Sequence, residues 1–162
     1  MLRKILLFVL LLLIAIQFYP KPARNVAVAQ SPMDISTKIN VPANVQAILK
    51  ESCNDCHSNN THYPWYANLQ PVAWWLGEHI KDGKKHLDFS SFGGYSLRKQ
   101  YHKLEEIAEM VAEDEMPLKS YTVIHTGSKL SAAQKDLLIQ WSKSARQEME
   151  AKYPADSLSV KK

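Results

Sequence analysis

Acidic side chains are missing from the first 29 residues, where Arg3, Lys4, Lys21 and Arg24 are the only charged groups. From Gln30 onward the chain carries 16 basic and 16 acidic residues, so the formal net charge of +4 belongs to the leader and the body is neutral. A nucleic-acid-binding reading thereby loses its main support, and no nucleic-acid partner is expected. Cysteine is scarce, with two residues in 162, and no second Cys or His pair stands at zinc-finger spacing. Sustained alternation of apolar and polar residues is also missing, as are internal repeats and low-complexity tracts, which argues against a β-sheet architecture. With 46% hydrophobic residues the chain is not disordered throughout, and its length suits one domain.

What the leader does contain is a short basic start, Met1 to Lys4, followed by an almost wholly apolar run from Ile5 to Tyr19 broken only by Gln17. That order reads as an export segment, which would place the remainder outside the cytoplasm on the periplasmic side. Residues 1–19 are expected to be a retained signal-anchor, with cleavage after Ala29 in Ala27-Val28-Ala29 as the alternative. Fifteen residues at about 1.5 Å each span only roughly 23 Å of an apolar core about 30 Å thick, so Lys4 and Tyr19 would have to sit at the interfaces.

Residues 20–40 hold Pro20, Pro22 and Pro32 and no hydrophobic period, and read as a linker. A domain is expected over 41–152. Val45, Ile48, Leu49 and Ser52 share one face of a short helix that runs into Cys53. Val72, Trp75, Leu76, His79 and Ile80 predict a helix ending at Gly83, and a longer one spans about Leu97 to Glu113 on the spacing of Leu97, Tyr101, Leu104, Ala108 and Val111. Ser131 and Gln134 form a capping-box pattern ahead of Leu137, Leu138, Trp141, Ala145 and Met149. Residues 153–162 read as a polar, frayed tail. The expected class is all-α, with long ordered loops and an apolar N-terminal helix.

Both cysteines fall in Cys53-Asn54-Asp55-Cys56-His57, the C-x-x-C-H pattern of c-type haem attachment. Two thiols on one side of a helical turn can each form a thioether with a haem vinyl group, and the adjacent imidazole then reaches the iron. Rival readings use the same residues. A disulfide here would close a very small loop and constrain the unfolded chain little. A thiol-redox pair needs its C-x-x-C at the start of a helix after a strand, and a zinc site would need Cys53 and Cys56 with histidines such as His57 and His62.

With His57 as one axial ligand, Met116 is the leading candidate for the other, since Pro117 stiffens the chain beside it and a thioether raises the haem potential to suit an electron carrier. Met110, on the long helix, and the histidines His79 and His125 are weaker candidates, and His62, His86 and His102 weaker still. Trp65, Tyr66, Trp74, Trp75 and Trp141 offer the large apolar surfaces a haem pocket needs, or else fill the core. An acidic run, Glu105, Glu106, Glu109, Glu113, Asp114 and Glu115, precedes Met116 and either steers a basic redox partner or forms a solvated helix face.

The order of helix, C-x-x-C-H, Met-Pro loop and final helix resembles the cytochrome c fold. Ser52 to Asn59, with Thr61, Tyr63-Pro64-Trp65-Tyr66, Pro71, Trp74, His79, Gly83 and Phe89-Ser90, is similar to the small exported haem-binding domain family of bacteria. The likeness runs from about Val41 to Ser142 and is most specific between Cys53 and Phe92; Asp88 stands where members often carry Asn. The resemblance implies one covalent haem c held by Cys53 and Cys56, with His57 as proximal and Met116 as distal ligand. A non-enzymatic electron carrier with a redox protein as partner is expected. The alternatives are a five-coordinate haem enzyme or gas sensor, and a haem-free zinc or thiol protein.

Overall fold

The computed structural model describes residues 1–158. Among these, eight α-helices follow one another: α1 Leu2–Ile16, α2 Ala43–Ser52, α3 Asn54–His57, α4 Val72–His86, α5 Leu97–Ala112, α6 Lys119–Thr122, α7 Ala132–Lys152 and α8 Ala155–Leu158. No strand forms among the described residues, and the one β-type pairing is an isolated bridge between Val26 and Asn60. The class is therefore all-α.

The amphipathic faces that the sequence displays are the ones that bury. Val45, Ile48, Leu49 and Ser52 turn inward from α2, and Leu104, Ile107 and Val111 from α5. Helix α5 packs most extensively against α7, with Leu104 and Leu138 fully enclosed and the Ser142 hydroxyl donating to the Leu104 carbonyl. Helix α7 starts where its sequence says it should: Ser131 Oγ accepts from Gln134 N–H at 3.3 Å while the Gln134 side chain accepts from Ser131 N–H at 2.9 Å. Trp141 lies in this core, its indole N–H donating to Asn40 O at 3.0 Å.

The structure departs from the sequence reading at three places. Helix α4 does not stop at Gly83 but continues to His86. The glycine serves close approach rather than termination, because a Cβ there would lie 2.7 Å from Cys56 O and 3.0 Å from Cys56 Cβ. Residues 20–40 are not a free linker. Asn25 Nδ2 donates to Ser58 O at 2.7 Å and Thr61 Oγ1 at 2.9 Å, Ala27 N–H donates to Asn59 O at 2.8 Å, and Ile35 and Ile39 enter the core. The tail is ordered further than its polarity suggests, since α8 packs on α5 and α7 and buries Leu158. Residues 159–162 of the expected tail lie outside the described residues.

The apolar leader contacts the body at its end. Helix α1 ends at Ile16, and Gln17 turns its amide onto the body, donating to Gln70 O and accepting from Gln70 N–H, both at 2.9 Å. Among the described residues no helix is long and apolar enough to cross a membrane.

Candidate functional site

The C-x-x-C-H residues are placed by a break between α2 and α3. Cys53 leaves helical geometry at φ −128°, and α3 restarts the chain for a single turn, so that Cys53, Cys56 and His57 all line one cavity. Its volume is about 690 Å³, within the roughly 300–1,000 Å³ of small-molecule pockets. Leu49, Phe89, Ile107, Val111, Leu130 and Leu138 make the remaining wall largely apolar, and Met110 and Met116 contribute two thioethers from the end of α5 and the turn beyond it. At the rim stand His79, Asp82 and His86 of α4 and His102, Lys103, Glu106 and Glu109 of α5.

Hydrogen bonds hold the pentapeptide from both sides. Asp55 accepts from His62 N–H and from the Tyr121 hydroxyl, each at 2.8 Å, while its own carbonyl accepts from Thr61 Oγ1. Asn54 O accepts from Ser58 Oγ at 2.7 Å. His57 Nδ1 lies 2.9 Å from Leu87 O. A carbonyl only accepts, so Nδ1 carries the proton and the lone pair resides on Nε2, the tautomer of an imidazole set up to ligate a metal. Burial lowers the His57 pKa, partly offset by that backbone bond, so the ring is held neutral.

The thiols are protonated. Burial, reinforced by Cys56, pushes Cys53 up to about 12; burial, reinforced by Asp55, pushes Cys56 up to about 11. Both are free. A thiol-redox pair depends on a depressed pKa, so this environment argues against that reading. Because the folded pKa values lie above the ordinary 9.0, thiolate forms only at high pH. In haem-free protein at pH 8, alkylation by iodoacetamide should therefore be at least ~100-fold slower than for an exposed cysteine, rising with pH beyond 9. Rapid labelling of either residue would contradict this environment.

Gly83 is the contact through which α4 lies against this turn. Gly83→Ala places a methyl against Cys56 backbone rather than against a movable side chain. It should cost about 1–3 kcal/mol, read as a lowered midpoint in urea unfolding.

The structure brings together Cys53, Cys56, His57 and Met116, and separates them from the tryptophans. Trp65 and Trp75 are exposed, and Trp74 is turned toward the leader, its indole N–H donating to Pro20 O at 3.2 Å and its ring edge-on to Tyr19. None of the three lines the cavity, which corrects their assignment as pocket residues. The reason is helical: Ala73 and Ile80 form the buried face of α4, and its cavity-lining positions 79, 82, 83 and 86 lie beyond the indoles. His62 and His125 also lie outside the lining. The sequence reading passed over Tyr121 and underrated Met110, His86 and His102. For α4 a signal existed, since His79, Asp82 and His86 repeat at three and four residues.

Residues 11–144 match the model of a haem-binding domain. The chain belongs to this family. The matched range begins inside α1 and includes the whole of 20–40, in keeping with the packing of that segment onto the domain. Nothing among curated proteins or solved structures matches the chain significantly.

The residues present fit a haem. A large apolar cavity, two unpaired protonated thiols one turn apart, and a neutral imidazole with its Nδ1 proton already engaged make one donor set. A zinc centre is not supported in the same way: among the described residues no group of three or more His, Cys, Asp or Glu is placed to hold a metal ion.

Proposed function

We propose that this haem-binding domain holds one haem c covalently through Cys53 and Cys56 and carries single electrons outside the cytoplasmic membrane. The observation that carries this reading is the convergence of both thiols, His57 and Met116 on one apolar cavity. Each S–H would add across a vinyl C=C, forming a C–S bond and placing the hydrogen on the other vinyl carbon, so no oxidant or leaving group would be required. Both sulfurs are free thiols, as that addition requires. The bound haem supplies a reversible one-electron exchange at iron. His57 Nε2 would supply one ligand to the iron, with Leu87 O fixing the ring through Nδ1. Met116 would supply the second ligand, and its place is set by the turn in which Glu115 and Met116 N–H both donate to Met110 O, at 3.0 and 3.1 Å. The wall beside the sulfurs is largely apolar, as a haem requires.

Arg3 and Lys4 ahead of the apolar run and the absence of acid before Gln30 support export of the body; a redox protein would be its partner. Met116→Ala should abolish the weak red absorption of a methionine bound to ferric iron and open the distal side to carbon monoxide, whereas Met110→Ala should leave both unchanged. The reverse pattern would move the ligand to α5. Immediate carbon monoxide binding by the unsubstituted protein would instead favour a five-coordinate haem enzyme or sensor.

A further inference from the structure

Helix α1 is apolar all round and packs against nothing along its length. None of its residues is buried, and every position from Ile5 to Ile14 stands exposed. A helix that docks on a protein needs one apolar stripe, whereas one that is apolar on every side suits a medium that surrounds it. Basic residues flank the run, Arg3 and Lys4 near its start and Lys21 and Arg24 beyond its end, with no acid among the first 29 residues. Those ends complement anionic lipid headgroups.

The helix is not joined to the body by a swivel. Beyond the two Gln17–Gln70 bonds, Trp74 holds Pro20 O and meets Tyr19 edge-on, and Asn25 N–H donates to the Tyr63 hydroxyl at 2.9 Å. Pro22 sits directly on Gly77, where a Cβ would lie 2.7 Å from Pro22 Cγ. The direction in which α1 leaves the body is therefore set by the start of α4 and the turn before it. Around that exit the surface stays apolar. Leu69 and Pro71 flank the residue that Gln17 grips, Trp75 lies one turn along α4 with its N–H on Pro71 O, and all three are exposed, as is Phe18. Fifteen residues at about 1.5 Å each give about 23 Å, short of an apolar layer about 30 Å thick. The collar formed by Phe18, Leu69, Pro71 and Trp75 extends the apolar surface from the helix onto the body, and Tyr19, Trp74 and Trp75 are residue types favoured at the headgroup level.

We propose that the collar is a lipid-contact surface: α1 and the collar seat together in a bilayer and hold the start of α4 in the headgroup layer. The same helix carries the cavity residues His79, Asp82, Gly83 and His86 on its later turns, so one rigid element links the lipid surface to the C-x-x-C-H cavity and fixes the cavity's orientation over the membrane. The proposal rests on the export reading of the leader and requires that the leader be retained, since cleavage after Ala29 would remove Gln17, Tyr19, Pro20, Pro22 and Asn25 and with them the joint.

The test places the full-length haem-loaded protein in vesicles of phosphatidylcholine and phosphatidylglycerol doped with a diazirine phospholipid, irradiates them, maps lipid adducts by peptide mass spectrometry, and reads the intact mass of the same sample. Adducts are expected on α1 and on residues 69–75, the latter at least ~10-fold above those on α5 and α7. Leu69→Asp combined with Trp75→Asp, two substitutions at exposed positions, should remove the adducts from 69–75 and leave those on α1. Adducts confined to α1, or labelling of 69–75 that survives the double substitution, would overturn the collar while leaving the export reading intact, as would an intact mass that begins at Gln30. An uncleaved protein with no lipid adduct on α1 would overturn both.

Discussion

Replacing His57 with alanine should remove the low-spin, six-coordinate absorption from essentially every molecule while both thioether bonds persist. The ring follows Cys56 directly on α3, and its Nδ1 is already committed to Leu87 O at 2.9 Å, which leaves Nε2 for the iron. His79, His86 and His102 stand at the rim on α4 and α5, not on α3. The substitution also strands the Leu87 carbonyl, for which a cost of about 1–3 kcal/mol is expected. Added free imidazole, small enough to enter the space vacated, should restore the low-spin spectrum without restoring that stability. An unchanged spectrum in the variant would assign the proximal ligand elsewhere.

The second large effect separates aromatic residues that composition cannot tell apart. Phe92 is fully buried, in the short 3₁₀ turn Phe89–Gly94, with its ring 5.8 Å from that of Tyr95. Truncation to alanine removes a whole ring from a packed core and should cost about 3–5 kcal/mol. Trp65→Ala, by contrast, removes a ring that is 76% exposed and should stay within about 0.5 kcal/mol. Urea unfolding of the two variants in the same state of haem loading measures both, with the slope expected to be unchanged. Equal losses would mean that Trp65 packs far more tightly than its exposure indicates.

This contrast shows where the sequence is legible. Spacing along one helix is local information, so α2, α5 and α7 and their inward faces are readable, and the α7 capping box is readable to the residue. The C-x-x-C-H turn is readable for the same reason: three residues bring two thiols to one side, whatever the rest of the chain does. The tryptophans are not readable, because their surroundings are set by how α4 docks on α3, and that is decided by a missing side chain at Gly83. Residues 20–40 escape notice because their order comes from distant partners, Asn25 with Ser58 and Thr61, and the Ala27 amide with the Asn59 carbonyl. Asp88 illustrates a milder case. In place of an amide it presents a carboxylate that accepts from Ser90 N–H at 2.9 Å and Ser91 Oγ at 3.0 Å, so the turn before Phe92 needs only an acceptor there.

The central claim is that Cys53 and Cys56 bind haem covalently. It is tested most directly by the intact mass of the full-length protein, made in cells with haem-attachment machinery and measured after complete denaturation. A mass increase of one haem, lost in the Cys53→Ala, Cys56→Ala double variant, is the expected result. A protein whose denatured mass equals that of the polypeptide, with two free thiols, would contradict it.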